Sequence, residues 1–230
     1  GEGTFEYSKN SKYEGHWKNG QRHGFGIHTL SDKSIYVGLH KDGQRHGKGT
    51  EIFPNEEKYS GNWKEGVRDG KGIYTWPSGA KYVGEFKNWD LNGQGTFNYP
   101  DGSIYIGGFK EGEYHGHGKF TSIADGDGYE GEWRNGKKHG EGIHYDKDGQ
   151  RYEGEWKNDK ENGYGKLNLV DLGCYEGQFI NGRHHGEGSL TFESGYKISG
   201  EWRFGSIFKG AAIWPNGNKY EGEFKHWDWH

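Results

Sequence analysis

Aromatic residues and glycines alternate with polar residues in a short pattern that recurs along the chain. From Tyr129 to Gly142 (YEGEWRNGKKHGEG), an aromatic residue, a glycine and a second aromatic residue occupy every second position. This period of two predicts a β-strand with one buried face. A second strand is predicted through the Gly-x-Gly pair that begins at Gly140, and Asn135-Gly136 between the strands is the strongest short signal for a hairpin turn. Each copy of the pattern therefore predicts one β-hairpin.

The pattern returns at intervals of 22 to 24 residues. A fixed period in this range indicates tandem structural repeats that pack on their neighbours. We therefore predict a single array over residues 1–230, with a half-repeat at 1–12 and a partial last repeat at 220–230. The repeats begin at Tyr13, Tyr36, Tyr59, Tyr82, Tyr105, Tyr129, Tyr152, Tyr175, Ile198 and Tyr220.

Tyr-x-Gly-x-Trp followed by Gly-x-Gly at this spacing resembles the MORN (membrane occupation and recognition nexus) repeat, over essentially the whole chain from Gly1 to Trp229. The resemblance implies an all-β fold, an elongated, single-layer, twisted antiparallel sheet (a solenoid) of about ten 23-residue β-hairpin repeats, with a groove along one face. Glycine in mid-strand needs a close approach by another group. We expect that group to be an aromatic ring of a neighbouring repeat.

Composition supports a folded chain although aliphatic residues are scarce. Leu, Ile, Val and Phe total 35 of 230 residues, a fraction typical of disorder. The net charge is only −4, however, and aromatic residues make up 17% of the chain. Aromatic rings bury large areas, so Tyr and Trp take the place of the missing aliphatic residues. No apolar run approaches the roughly 20 residues that span a bilayer.

The sequence predicts no catalytic residue, no metal site and no cofactor, and hence no enzyme activity. The single cysteine, Cys174, excludes a disulfide framework and has no evident partner that would make it a nucleophile. No helical periodicity follows the Gly-x-Gly pairs, so they are not phosphate loops. Five histidines precede such pairs, but equivalent strands lie about 10 Å apart, too far for one zinc ion. They are His23, His46, His115, His139 and His185.

Charged residues are mixed and evenly spread. Glu130, Glu132, Glu153 and Glu155 alternate with the buried rings, and we expect them to form cross-strand pairs with lysine and arginine. The basic residues form no cluster, which gives phospholipid binding little support. The slightly acidic balance without a basic stripe argues against nucleic acid.

The resemblance and the aromatic pattern together favour a non-enzymatic scaffold that binds a segment of a partner protein along its aromatic-lined face. Similar MORN proteins occur in cilia, flagella and cytoskeletal assemblies, which implies a cytoplasmic, cytoskeleton- or cilium-associated setting. Two alternatives stay open. In the first, the chain is a targeting arm of a larger enzyme of the lipid kinase or SET-domain methyltransferase type. In the second, it is a phospholipid-binding module.

Residues that depart from the repeat are the candidates for partner contacts. They are His40, where other repeats have an aromatic residue, and Trp89, Trp214 and Trp227. The chain begins with the second half of a repeat and contains no methionine, so we expect it to be part of a longer protein. Unpaired strand edges at the two ends predict self-association.

Overall fold

The computed structural model describes residues 1–224, and all regular secondary structure in them is β-strand. The chain divides into two compact units, of which unit 1 is Gly1–Glu113 and unit 2 begins at Tyr114. The strands of unit 1 are β1 (Glu2–Ser8), β2 (Ser11–Lys18), β3 (Gln21–Thr29), β4 (Ile35–Lys41), β5 (Gln44–Ile52), β6 (Lys58–Lys64), β7 (Val67–Thr75), β8 (Lys81–Lys87), β9 (Asp90–Asn98) and β10 (Ile104–Lys110). Those that follow are β11 (Glu113–Thr121), β12 (Gly128–Arg134), β13 (Lys137–Tyr145), β14 (Arg151–Lys157), β15 (Lys160–Leu169), β16 (Gly173–Ile180), β17 (Arg183–Phe192), β18 (Lys197–Arg203), β19 (Ser206–Ile213) and β20 (Lys219–Glu223).

Within each unit, strands that follow one another in sequence pair antiparallel, so the predicted all-β fold of hairpin repeats is confirmed. In the third repeat, Tyr59 lies opposite Tyr74 and Gly61 opposite Gly72. The register then shifts before Trp63, which marks a β-bulge. The first glycine of each Gly-x-Gly pair lies at this bulge, and Gly70 there has a φ of +95°. Glycine is required because an L side chain is strained in that conformation.

The second glycine of each pair makes room for a tyrosine ring. A Cβ atom at Gly72 would lie 2.6 Å from Cε2 of Tyr59, and one at Gly61 would lie 2.6 Å from the Cα atom of Gly72. Tyr59 is fully buried, and its hydroxyl donates a hydrogen bond of 2.7 Å to the carbonyl oxygen of Asn62. The prediction that a neighbouring repeat supplies the ring was wrong, because the ring belongs to the same hairpin as both glycines.

The second aromatic residue of the repeat joins one hairpin to the previous one. The ring of Trp63 packs edge-on against Tyr59 of its own repeat at 5.2 Å and Tyr36 of the preceding repeat at 5.1 Å. Its indole N–H donates to the carbonyl oxygen of Gly49, also in the preceding repeat. In unit 2, Trp156 joins Tyr152 and Tyr129 in the same way. An edge-to-face ladder of rings therefore forms the core of each unit.

That residues 1–230 form one continuous array stays a prediction. Within residues 1–224, no helix has the length and apolar character needed to cross a membrane.

Candidate protein-interaction surface

The repeat tyrosines and their ladder partners lie on one face of the sheet, which we call the aromatic face. In unit 1 a row of arginines lies over this ladder, because Arg22, Arg45 and Arg68 each stand two residues before a Gly-x-Gly pair. The guanidinium carbon of Arg45 lies 5.1 Å from the ring centre of Tyr36 and 4.8 Å from that of Trp63. The cations are therefore held over aromatic rings at cation–π distance.

Two of these arginines share one buried carboxylate. Glu51 is 3% exposed, and its carboxylate oxygens lie 2.7 Å from Nη1 of Arg45 and 3.2 Å from Nη2 of Arg68. Glu51 occupies the position that Tyr74 and Phe97 take in the next two repeats. The carboxylate of Glu51 therefore neutralises part of the positive charge of the two guanidinium groups at this part of the aromatic face.

Trp89 departs from the repeat in its backbone as well as its side chain. Its φ is +81°, at a turn position where other repeats have a glycine such as Gly66 or Gly112. The side chain is 43% exposed, and its ring contacts Trp63 at 5.7 Å and the guanidinium of Arg68 at 5.2 Å. A bulky residue in the left-handed region is strained, and such strain concentrates at functional sites.

Further rings pack around Arg68 beside Trp89, namely the half-buried ring of Phe53 and the buried ring of Tyr74. Arg68 also lies 5.3 Å from the ring of Phe53 and 4.8 Å from that of Tyr74. Burial raises the pKa of Tyr74 to about 12, and its hydrogen bond to Glu57 acts in the same direction, so its hydroxyl stays protonated. We call Phe53, Trp63, Arg68, Tyr74 and Trp89 the Trp89 cluster. Half-buried rings continue from it at centroid distances of 4.5 to 5.3 Å through Trp76, Phe97 and Tyr99.

His40 replaces the ladder ring of the second repeat. It is 3% exposed and packs edge-on between Tyr13 and Tyr36, at 5.0 Å from each. Neither ring nitrogen has a hydrogen-bond partner in residues 1–224. Burial, with the charge of Arg22, lowers the pKa of His40 to about 4. Its role as a partner contact stays a prediction, and the geometry places its ring in the internal ladder.

The other two candidates lie near the carboxyl end. Trp214 is half-buried, and its ring lies 5.3 Å from that of Tyr196. It occupies the position before the Pro-x-Gly turn that Trp76 has in the third repeat, so it follows the pattern of the repeat rather than breaking it. Trp227 lies outside the described residues. Within unit 1, His40 packs on Tyr13 and Tyr36 whereas Trp89 contacts Trp63 and Arg68, so these two predicted site residues share no ring contact.

In unit 2 the position of the arginine row carries a different side chain in each repeat. Lys138 lies over the rings of Tyr129 and Trp156 at 5.2 and 4.8 Å, and burial lowers its pKa. His184 stacks on Tyr175 at 3.7 Å, and burial lowers its pKa to about 4. Among residues 1–224, no group of three or more His, Cys, Asp or Glu side chains is placed to hold a metal ion.

The predicted cross-strand pairing of acids holds only in part. Glu130 pairs across strands with Lys119 at 2.9 Å. Glu153 instead pairs with Arg151 of its own strand, and the carboxylate of Glu155 accepts a hydrogen bond from the backbone N–H of Tyr164. The carboxylate of Glu132 lies over Gly140.

A family model described as MORN repeat matches eight tandem segments. They begin at the same residues as the first eight predicted repeats and cover residues 13–35, 36–57, 59–81, 82–104, 105–123, 129–151, 152–171 and 175–195. No curated protein matches the chain.

Solved structures to which the chain is similar include two TCP domains. The TCP10 domain of Danio rerio CPAP, solved with a peptide of Danio rerio STIL, is 9% identical over 94% of this chain and 90% of that chain, with a TM-score of 0.47. The SAS-4 (dCPAP) TCP domain of Drosophila melanogaster, solved with a proline-rich motif of Ana2 (dSTIL), is 11% identical over 86% of this chain and 89% of that chain, with a TM-score of 0.32.

Proposed function

The chain belongs to the MORN repeat family, and from this premise we propose that it is a non-catalytic scaffold that binds a segment of a partner protein on the aromatic face of unit 1. The observation that carries the proposal is Trp89, an exposed tryptophan held in a left-handed conformation beside Arg68. Tryptophan, tyrosine and arginine are the residues that most often dominate the binding energy of protein interfaces. In the Trp89 cluster the exposed ring is that of Trp89, and the largely buried side chains of Tyr74 and Arg68 support it from below.

The proposed setting is a cytoplasmic assembly of the cytoskeleton or cilium, and this part rests on the family alone. End-to-end self-association is a linked proposal, supported by β1, whose residues are all exposed and whose described pairing is with β2. An unpaired strand edge of this kind is a template for another chain.

The test is photo-crosslinking on the aromatic face. A photoreactive phenylalanine analogue replaces Tyr99, and crosslinked partner peptides are identified by mass spectrometry in extracts of the cells that express the protein. We expect one discrete protein partner, and we expect Trp89→Gly to weaken its binding by about 30-fold or more, the loss typical of an interface hot spot. Crosslinks to lipid alone, or to a catalytic domain on the same chain, would replace the proposal with one of the two alternatives.

Trp89→Gly separates binding from folding. Glycine relieves about 1 kcal/mol of left-handed strain, which offsets the lost contacts with Trp63 and Arg68, so the free energy of unfolding should change by less than about 1 kcal/mol. The matched control is Phe204→Gly, because Phe204 is also an exposed aromatic residue at a hairpin turn, with φ of +51°. Equal loss of partner binding in both variants would contradict the proposal.

A further inference from the structure

The face of the sheet opposite the aromatic face, which we call the open face, contains a groove in unit 1. Its volume is about 760 Å³, and it crosses strands β3 to β9. The groove is lined by Phe25, Val37, Lys48, Gly49, Thr50, Ser60, Gly61, Lys71, Gly72, Ile73, Val83, Gly84, Glu85 and Gln94. It shares no side chain with the Trp89 cluster.

Aliphatic and aromatic side chains give the groove an apolar floor. Phe25, Ile73 and Val83 are 53%, 39% and 40% exposed, and Ile73 lies directly opposite Val83 on the neighbouring strand. The repeat position that carries Val83 in unit 1 carries a glutamate in three successive repeats of unit 2, at Glu130, Glu153 and Glu176. The apolar surface therefore belongs to the repeats that line the groove and not to every repeat, since Glu14 holds this position in the first repeat of unit 1.

Two lysines stand in this apolar surface without a partner. Lys48 and Lys71 hold the same position in successive repeats, and neither forms an ion pair within residues 1–224. Glu85 lies opposite Lys71 on the next strand, but its carboxylate is over Gly93 instead. The groove therefore offers two unpaired positive charges to an occupant with carboxylates.

The spacing of the lysines selects the shape of the occupant. Their positions are two strands apart, about 9.6 Å. Two turns of α-helix rise about 10.5 Å over seven residues and return to the same side, so carboxylates seven residues apart meet both lysines. An extended strand covers this distance in about three residues, which puts its side chains on opposite faces. Apolar residues three and four positions after the first carboxylate would share the helix face.

We propose that the open-face groove of unit 1 binds an amphipathic helix of another protein, with two carboxylates seven residues apart and aliphatic residues between them. The carboxylates pair with Lys48 and Lys71, and the aliphatic side chains cover Val37, Ile73 and Val83. This site is distinct from the aromatic face, so it stands or fails independently of the partner proposed there.

The experiment is fluorescence anisotropy of a stapled helical peptide of about 21 residues with the 230-residue chain. The peptide carries two glutamates seven residues apart and leucines between them. We expect saturable binding that weakens about tenfold when both glutamates become glutamine, because each exposed ion pair contributes up to about fivefold. Lys48→Gln with Lys71→Gln should cause the same loss, whereas Lys87→Gln, an exposed lysine outside the groove, should cause none.

A charge exchange makes the assignment specific. The variant with Lys48→Glu and Lys71→Glu should lose the glutamate peptide and bind the same peptide with lysines in place of its glutamates. Equal binding of the glutamate and glutamine peptides would overturn the proposal. So would tighter binding of a proline-rich peptide with carboxylates three residues apart, binding to anionic phosphatidylserine vesicles that requires both lysines, or lysine-dependent self-association in sedimentation velocity.

Discussion

At the scale of single residues, His40 shows the cost of a polar ring in an aromatic ladder. Its two ring nitrogens are buried without hydrogen-bond partners in residues 1–224, and such groups cost about 1–3 kcal/mol each. We expect His40→Phe to raise the free energy of unfolding at pH 7, because Phe86 and Phe109 fill the same position in other repeats. Urea denaturation followed by circular dichroism measures the difference.

The pH dependence of His40 provides a sharper measurement. Its pKa falls from 6.5 in the unfolded chain to about 4 in the folded one. Below pH 6.5 the unfolded chain therefore binds a proton that the folded chain does not, and stability is lost as the pH falls toward 4. At pH 5 the advantage of His40→Phe should exceed its value at pH 7 by about 2 kcal/mol. An equal advantage at both values, or the same shift in the exposed control His117→Gln, would contradict this account.

The sequence identifies His40 and Trp89 as exceptions because a strict repeat makes every departure visible. It does not separate their roles, since burial depends on the local backbone. His40 lies near the end of strand β4 inside the ladder, whereas Trp89 lies at a turn with a positive φ. The sequence also shows the arginine row as an arginine that recurs two residues before the Gly-x-Gly pairs. The position of these side chains over the rings depends, however, on the β-bulge that follows Gly61.

At the scale of strands and hairpins, the group of Arg45, Glu51 and Arg68 joins β5 to β7 across the aromatic face. Removal of one member of a buried ion pair leaves an uncompensated charge and costs about 3–5 kcal/mol. We expect Glu51→Gln to destabilise the chain by this amount in urea denaturation. The control is Glu153→Gln, whose pair with Arg151 is exposed and worth less than about 1 kcal/mol.

A triple variant tests the cause. If the loss comes from unpaired charge, Glu51→Gln combined with Arg45→Leu and Arg68→Leu should recover most of it, because apolar replacement of a whole buried ionic group is often neutral. A loss for Glu51→Gln no larger than that for Glu153→Gln would show that water reaches the guanidinium groups.

The hairpins themselves were predictable from period and turn residues, since Asn135-Gly136 and its equivalents specify the turn wherever they occur. The ring that covers the glycines was not predictable. Tyr59 reaches Gly72 of its own hairpin because the strands bring Tyr59 opposite Tyr74, and only the register shows this. The spacing of tyrosine and glycine in the sequence is equally compatible with a ring of the same hairpin and with a ring of a neighbouring repeat.

At the scale of the whole molecule, the open face differs in charge between the two units. In unit 2 it brings acids directly opposite one another, with Glu141 facing Glu155 and Glu187 facing Glu201. Like charges in this position destabilise a sheet. Glu141→Lys should therefore raise the free energy of unfolding by about 0.5 kcal/mol at low salt, and the gain should shrink as salt screens the charges.

The matched change is Glu130→Lys on the same face. It breaks the ion pair with Lys119 and places two lysines opposite each other, so it should lower stability by a similar amount. Opposite signs at low salt that converge at high salt would attribute both effects to cross-strand charge. If both variants shifted the free energy of unfolding in the same direction, the change in net charge would explain both effects. Local pairing across the open face of unit 2 would then not set its stability.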